Sequence, residues 1–125
     1  MARVMCTTPC SSISITVPVP RFLATSSQSA RPATVIAVAR GADKLAVAKA
    51  AGADHLIDST TDDIKAAVKA LGGADVVYDP VGGAAFKAAL GACNREARVI
   101  IIGFASGEVP QIPANIILVK NISVI

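Results

Sequence analysis

The feature that most constrains the fold is a regular alternation of apolar and alanine-rich segments from residue 33 to the end of the chain. The alanine-rich segments have the apolar spacing of amphipathic helices. One of them is preceded by the helix-capping run STTDD (59–63) and places Ile64, Val68 and Leu71 on one inner face; the next has Phe86 and Leu90 on its inner side. The apolar segments are rich in β-branched residues and are predicted to be strands, at 33–39, 55–58, 75–79, 97–103 and 122–125. Strands that alternate with helices in this way predict right-handed crossovers and a buried parallel sheet.

The order of these segments predicts an α/β fold of the doubly wound Rossmann type, but one that lacks its beginning. In such a fold the first strand is followed by a glycine-rich turn and a helix, where a pyrophosphate binds. No G-x-G-x-x-G occurs before Ala33, residues 26–32 contain no glycine, and Pro32 has no N–H. We therefore expect an incomplete sheet without the first strand, the glycine-rich loop and the first helix. Strands 33–39 and 75–79 would then face each other across a gap.

Length and charge exclude several classes of protein. A chain of 125 residues can bury one core but is too short for a cofactor domain together with a substrate domain. The most apolar segment, 112–125, is interrupted by Asn115, Lys120 and Asn121, so we expect no membrane association. Residues 43–125 contain eight basic and nine acidic side chains and form no basic stripe. We therefore expect no nucleic-acid partner.

Residues 1–32 differ in composition from the rest, because they are rich in serine and threonine and contain arginine but no acid. We divide the chain into this divergent leader and a partial Rossmann domain at 33–125. The leader has three interpretations: a disordered or artefactual segment, a mitochondrial transit peptide, or an improvised strand at 12–19, where polar and apolar residues alternate. Pro18 disfavours the strand. The expected location is cytoplasmic, or mitochondrial if the leader is a transit peptide.

The cysteines and the single histidine do not predict a metal site. Cys6 and Cys10 are separated by three residues and do not form a C-x-x-C pair. Cys93 is expected to be a core thiol near a helix end. His55 has no neighbouring cysteine or histidine, so we interpret it as a residue at the start of a strand rather than a ligand.

Two basic residues follow the predicted strand 33–39, the second strand in the Rossmann order, at a position that faces the adenosine ribose in Rossmann folds. An acidic side chain there selects NAD, whereas a basic side chain accommodates a 2′-phosphate. This chain has Arg40, with Lys44 one helical turn further on. The pair favours NADPH through charge-assisted hydrogen bonds to phosphate. The alternative is that both are solvated charges at the start of a helix.

Two glycine-containing turns, at 81–83 and 103–107, follow the predicted strands 75–79 and 97–103, which are the fourth and fifth strands in the Rossmann order. Ligands of open α/β sheets bind outside the carboxyl ends of the strands, and glycine allows the backbone to approach a ligand closely. The turns are therefore candidates for cofactor binding. The alternative is that they only reverse the chain.

The segments ATVIAVARGADKLAVAKAAGADHLIDSTTDDIKAAVKALGGADVVYDPVGG and RVIIIGFASGEVPQIPANIILVKNISVI resemble the cofactor domain of the medium-chain dehydrogenases/reductases. The similarity is greatest to the zinc-free quinone oxidoreductases and covers about 93 residues, from Ala33 to the end. The resemblance implies NADPH-dependent reduction of quinones or activated alkenes, by hydride transfer without a metal.

The resemblance also implies roles for individual residues. Lys44, in a G-x-x-K turn, would contact the 2′-phosphate. Ser59 stands where many relatives place a tyrosine against the adenosine phosphate. The remaining cofactor-binding candidates would line the nicotinamide side: Asp79, Val81, Gly82, Gly103, Phe104 and Ala105. No residue is assigned as a catalytic acid or base.

Two functions follow from the resemblance. The first is a fragment of an NADPH-dependent, quinone oxidoreductase-like enzyme that is inactive as an isolated chain and takes a quinone or enone only when completed. The second is a non-catalytic remnant that associates with a full-length relative through the last strand, 122–125. The same strand could pair with a second copy in a homo-oligomer.

Overall fold

The computed structural model describes residues 3–7 and 33–125, and the structural statements below concern these residues. Helices alternate with strands throughout the second range. The helices are α1 (Ala42–Ala50), α2 (Ile64–Ala70), α3 (Gly83–Ala92) and α4 (Ala114–Lys120). The strands are β1 (Arg3–Thr7), β2 (Thr34–Ala39), β3 (His55–Asp58), β4 (Ala74–Asp79), β5 (Cys93–Ile101) and β6 (Ser123–Val124).

All six strands form one parallel sheet in the order β3-β2-β1-β4-β5-β6. The predicted Rossmann-type α/β class is therefore confirmed. The chain runs outward in one direction through β2 and β3 and in the other direction through β4, β5 and β6. Right-handed crossovers consequently place α1 on one face of the sheet and α3 on the other.

The expectation that the sheet lacks its first strand is wrong, because β1 occupies that place. β1 pairs along its whole length with β2 and also pairs with β4. Met5, at its centre, is fully buried in the hydrophobic core. The segment RVMCT supplies the apolar side chains and the backbone hydrogen bonds that the gap requires. The predicted strand at 12–19 and the places of the glycine-rich loop and the first helix lie outside the described residues.

The amino end of β1 is fixed by polar contacts as well as by strand pairing. The Arg3 backbone N–H donates to Asp75 Oδ2 at 2.8 Å. Asn94 Nδ2 donates to Asp75 Oδ1 at 2.8 Å and to the Gly72 carbonyl oxygen at 3.1 Å. The starts of β1, β4 and β5 are therefore joined through one carboxylate.

The core lies between the sheet and the helices α2 and α3, which pack against each other. The predicted inner faces of both helices are confirmed: Val68, Phe86 and Leu90 are buried. Cys93, 4% exposed, ends α3 and begins β5, as expected of a core thiol near a helix end. Within the described part of the chain, no helix is long and apolar enough to cross a membrane.

Truncation of Met5 should destabilise the whole domain, because its side chain is fully buried in the core beside the central part of the sheet. We expect Met5→Ala to lower the free energy of unfolding by about 2–5 kcal/mol, the range for large-to-small substitutions in a core. Urea denaturation followed by circular dichroism measures this change.

Val47→Ala is the matched control, because Val47 is 69% exposed on α1. Its effect should stay within about 0.5 kcal/mol of zero. Equal effects of the two substitutions would mean that β1 does not occupy the centre of the sheet.

Candidate functional site

The candidate site lies at the carboxyl edge of the sheet, where the strand order reverses. The chain leaves β1 toward β2 on one side, and β4 lies on the other side of β1. Doubly wound sheets bind ligands in the crevice at such a switch point. A cavity of about 580 Å³ opens there. It is lined by Val38 of β2 and by residues that follow β2, β3, β4 and β5: Arg40, Ser59, Asp62, Ile64, Val81, Gly82, Ala84, Ala85, Ala88, Ala105 and Ser106.

The two turns singled out in the sequence are hydrogen-bonded to each other. The Ala105 N–H donates to the Pro80 carbonyl oxygen at 3.0 Å, and the Ser106 N–H donates to the Val81 carbonyl oxygen at 2.9 Å. These bonds continue the pairing of β4 and β5 beyond the strands. The structure therefore brings Val81, Gly82 and Ala105 together on one wall of the cavity.

Asp79 lies behind this wall of the cavity and holds its backbone in place. Its side chain is fully buried and is not among the residues that line the cavity. The carboxylate accepts hydrogen bonds from the Val81 N–H at 3.0 Å and from the Gly82 N–H at 3.2 Å. Asp79 consequently fixes the turn after β4 through its hydrogen bonds.

Gly82 is required by both its conformation and its surroundings. Its φ is 74°, in the region that favours glycine. A Cβ atom on Gly82 would lie 2.8 Å from the Glu108 carbonyl oxygen and 3.1 Å from Phe104 Cδ1. The absence of a side chain thus lets the turn after β4 pack directly against the loop after β5.

Gly103 and Phe104 lie beside the cavity rather than on its wall. Phe104 is 42% exposed, and its ring packs near Gly82. Gly103 has an ordinary φ, and a Cβ there would meet only the Pro80 carbonyl oxygen at 3.5 Å. The structure therefore gives Gly103 no requirement comparable to that of Gly82.

The three residues predicted on the adenosine side separate into two groups. Arg40 and Ser59 are exposed and line the cavity. The Ser59 N–H donates to the Ala39 carbonyl oxygen at 2.9 Å, which holds Ser59 next to Arg40. Lys44 is half-buried on α1 and is not among the lining residues. Of the two cations, Arg40 is therefore better placed to contact a ligand in the cavity.

Sequence reasoning missed two acidic residues on this side. Asp62 lines the cavity. Asp58 Oδ1 accepts hydrogen bonds from the Thr60 hydroxyl at 2.7 Å, the Thr60 N–H at 2.9 Å and the Gly41 N–H at 3.3 Å. The two bonds from Thr60, with a smaller contribution from Gly41, lower the pKa of Asp58. The segment STTDD (59–63) was predicted only to cap a helix, and Asp63 does cap α2 by accepting a hydrogen bond from the Ala66 N–H at 3.0 Å.

Cys6 lies near the carboxyl end of β1, close to Asp79. Burial, and to a smaller extent the negative charge of Asp79, raises the pKa of the Cys6 thiol to about 11. Burial likewise raises the pKa of Cys93 to about 11. Both thiols are therefore protonated at neutral pH and poor nucleophiles.

In residues 3–7 and 33–125, no group of three or more histidine, cysteine, aspartate or glutamate side chains is arranged to hold a metal ion. His55 is exposed at the first position of β3, as the interpretation of a strand-entry residue requires.

Comparison with known proteins identifies the family. The profile of the family described as zinc-binding dehydrogenase matches residues 23–125. The chain belongs to this family. Its sequence and fold are those of the quinone oxidoreductase type within the medium-chain dehydrogenases/reductases.

Curated relatives support an oxidoreductase. The quinone oxidoreductase-like protein 2 homolog of Nematostella vectensis is 46% identical over 86 residues, which are 66% of this chain and 24% of the relative. Quinone oxidoreductase-like protein 2 of Bos taurus is 39% identical over 94 residues, covering 73% and 27%. Prostaglandin reductase-3 of Bos taurus is 38% identical over 88 residues, covering 69% and 23%. The chain thus spans about a quarter of the length of these relatives.

Solved structures share the fold over nearly the whole chain. A 2-haloacrylate reductase superposes with a TM-score of 0.79 at 23% identity, covering 99% of this chain and 38% of that one. An Escherichia coli quinone oxidoreductase complexed with NADPH superposes with a TM-score of 0.77 at 22% identity, covering 99% of this chain and 37% of that one. An NAD-dependent alcohol dehydrogenase superposes with a TM-score of 0.78 at 28% identity, covering 99% of this chain and 35% of that one. Together with the family match, these neighbours indicate a nicotinamide cofactor.

Gly82→Ala should disturb the contact between the two turns. We expect it to lower the free energy of unfolding by about 1–3 kcal/mol, because the added methyl group is strained at φ 74° and crowds Glu108. Thermal unfolding monitored by circular dichroism measures the loss. Gly103→Ala is the control and should cost less than about 1 kcal/mol. If both variants were equally stable, the close packing of the turns would be disproved.

Cys6 and Cys93 should react slowly with iodoacetamide in the folded chain at pH 8. Their pKa values of about 11, against an ordinary 9.0, reduce the thiolate fraction roughly 100-fold. Mass spectrometry of the separate cysteine peptides measures each rate, and the rates should become ordinary in concentrated urea. Rapid native alkylation of Cys6 would contradict its burial beside Asp79.

Proposed function

We propose that this chain forms part of the cofactor-binding domain of an NADPH-dependent oxidoreductase that reduces quinones or activated alkenes. The observation that carries the proposal is the cavity at the switch point, with Arg40 at one end and the paired turns at the other. The names of the quinone oxidoreductase-like relatives support the substrate class. The reacting hydride would be supplied by the cofactor itself.

The residues around the cavity fit the two ends of a dinucleotide. Arg40 and Ser59 would bind the adenosine end, where the guanidinium group can form charge-assisted hydrogen bonds to a 2′-phosphate. Val81, Gly82 and Ala105 would orient the nicotinamide end by close backbone approach. Asp79 would hold that wall in position through its bonds to the turn after β4.

The preference for NADPH over NADH rests on the side chains of this chain, because its neighbours include proteins described with each cofactor. The end of β2 is followed by Arg40 rather than by an acid. Lys44 would add a second positive charge from α1, although it stands further from the cavity. Arg40 should therefore contribute more than Lys44 to recognition of the 2′-phosphate.

Arg40→Gln should remove most of the preference for a 2′-phosphate. We expect the affinity for adenosine 2′,5′-bisphosphate to fall about tenfold, the equivalent of about 1.5 kcal/mol for a hydrogen bond to a charged group. The affinity for 5′-AMP, which lacks only the 2′-phosphate, should change less than about twofold. Titration of the ¹⁵N-labelled chain by NMR measures both constants. An unchanged ratio of the two affinities would refute the proposed role of Arg40.

The 125-residue chain should bind the whole dinucleotide weakly and should not catalyse quinone reduction by itself. Residues 8–32, which follow β1, contain no glycine, and the relatives are about four times longer than the stretch they share with this chain. We expect NADPH to bind no more tightly than about 1 mM, and no NADPH-dependent quinone reduction above the rate without protein. Calorimetry and absorbance at 340 nm test the two expectations. Saturable NADPH oxidation by the chain alone would contradict them.

A non-catalytic remnant is the second candidate, and the exposed position of β6 favours it. In the described sheet β6 pairs only with β5, and Ile125 beside it is 69% exposed. This edge could extend across a second copy or a full-length relative. The adenosine titration separates the candidates, because a remnant would bind neither 2′,5′-bisphosphate nor 5′-AMP.

A further inference from the structure

An acidic side chain stands directly beside the residue proposed to recognise the 2′-phosphate. β2 and β3 are neighbouring parallel strands, and Asp58 is the register partner of Ala39. Arg40 follows Ala39 immediately, so the last residue of β3 lies next to the turn that carries the arginine. The sequence separates these residues by a helix, and only the pairing of the strands places them together.

Asp58 is tied to that turn by a hydrogen bond. Its Oδ1 atom accepts the N–H of Gly41, the N-cap residue of α1, at 3.3 Å. The same oxygen accepts both donors of Thr60. The carboxylate therefore has a fixed position at the start of α1, where the helix dipole favours negative charge. Hydrogen bonding to Thr60 lowers the pKa of Asp58, which keeps it ionised at neutral pH.

A second carboxylate lies on the same side of the cavity. Asp62 is a lining residue, and its Oδ2 accepts the Asp58 N–H at 3.0 Å. A 2′-phosphate that approached Arg40 would thus meet two negative charges, Asp58 at the end of β3 and Asp62 in the loop after it. The Gly41 N–H, which could otherwise donate to the phosphate, is already bonded to Asp58.

We propose that Asp58 is a specificity-determining residue that opposes Arg40: it holds the Arg40–Gly41 turn and limits the preference of the cavity for a 2′-phosphate over a 2′-hydroxyl. This inference rests on the proposed function, since it concerns the same adenosine end. The carboxylate acts on the 2′-phosphate through its charge. The affinity for a ligand without that phosphate should therefore not depend on this charge.

The test is Asp58→Asn in the 125-residue chain, with NMR titration of adenosine 2′,5′-bisphosphate and 5′-AMP. Asparagine keeps an acceptor oxygen for Thr60 and Gly41 and removes only the charge. We expect the affinity for the 2′,5′-bisphosphate to rise about fivefold at low ionic strength, as for one exposed charge pair. The affinity for 5′-AMP should change less than about twofold. The gain should shrink as salt is added, because screening weakens exposed charges.

Asp54→Asn is the matched control for net charge. Asp54 Oδ2 accepts the Val35 N–H at 2.8 Å, at the opposite end of the same strand pair. This variant should leave the ratio of the two affinities unchanged. Thermal unfolding verifies that each variant folds. If Asp58→Asn does not fold, Asp58→Ser, which is also neutral and retains an oxygen acceptor, replaces it.

The outcomes distinguish this inference from the function on which it rests. The deciding quantity is the affinity for adenosine 2′,5′-bisphosphate divided by the affinity for 5′-AMP. If Asp58→Asn raises this ratio and Asp54→Asn does not, the inference is supported. If neither changes the ratio while Arg40→Gln lowers it, the inference is overturned and the proposed function stands. Equal increases from Asp58→Asn and Asp54→Asn also overturn it, in favour of net charge. If Arg40→Gln leaves the ratio unchanged, the proposed recognition of the 2′-phosphate fails, and the inference fails with it.

Discussion

The structure depends on the pairing of β1 with strands on both of its sides. β1 contributes five residues, yet it joins the β2–β3 half of the sheet to the β4–β5–β6 half. Without it, β2 and β4 would each present an unpaired edge in the middle of a buried sheet, where backbone groups have no water to bond. Met5 fills the core at this junction, and Asp75 binds the backbone of Arg3 at the amino edge.

The candidate site follows from the same pairing. A crevice forms at the carboxyl edge where the strand order reverses, which in this sheet is at β1, between β2 and β4. The parallel registers then bring residues that are distant in sequence to one edge. Arg40 follows β2, Ser59 follows β3 and Val81 follows β4, and all three line one cavity. The hydrogen bonds between the two glycine-containing turns close its far wall.

The sequence predicted the elements after residue 33 because their periodicity is local. The inner positions of α2 and α3 and the two turns could be identified from spacing and glycine content alone. β1 was missed because RVMCT is short, lies in a segment of leader-like composition and is not followed by a glycine-rich turn. Its assignment requires knowledge of which strands lack a partner. Asp58 was missed for a related reason, since its partner Gly41 lies 17 residues away and becomes a neighbour only through strand pairing.

The two ends of the cavity are built independently of each other. The end proposed to bind adenosine is formed by the β2–β3 pair, and the end proposed to bind nicotinamide is formed by the turns after β4 and β5. The pyrophosphate turn of a Rossmann fold follows the first strand, and residues 8–32, which follow β1 in this chain, lie outside the described residues. The proposed recognition of a 2′-phosphate by Arg40 therefore relies on residues that follow β2 and β3, and not on the segment that would hold the pyrophosphate. The proposed selectivity for a 2′-phosphate would consequently be a property of the β2–β3 pair itself, and ligands smaller than a dinucleotide would report on it.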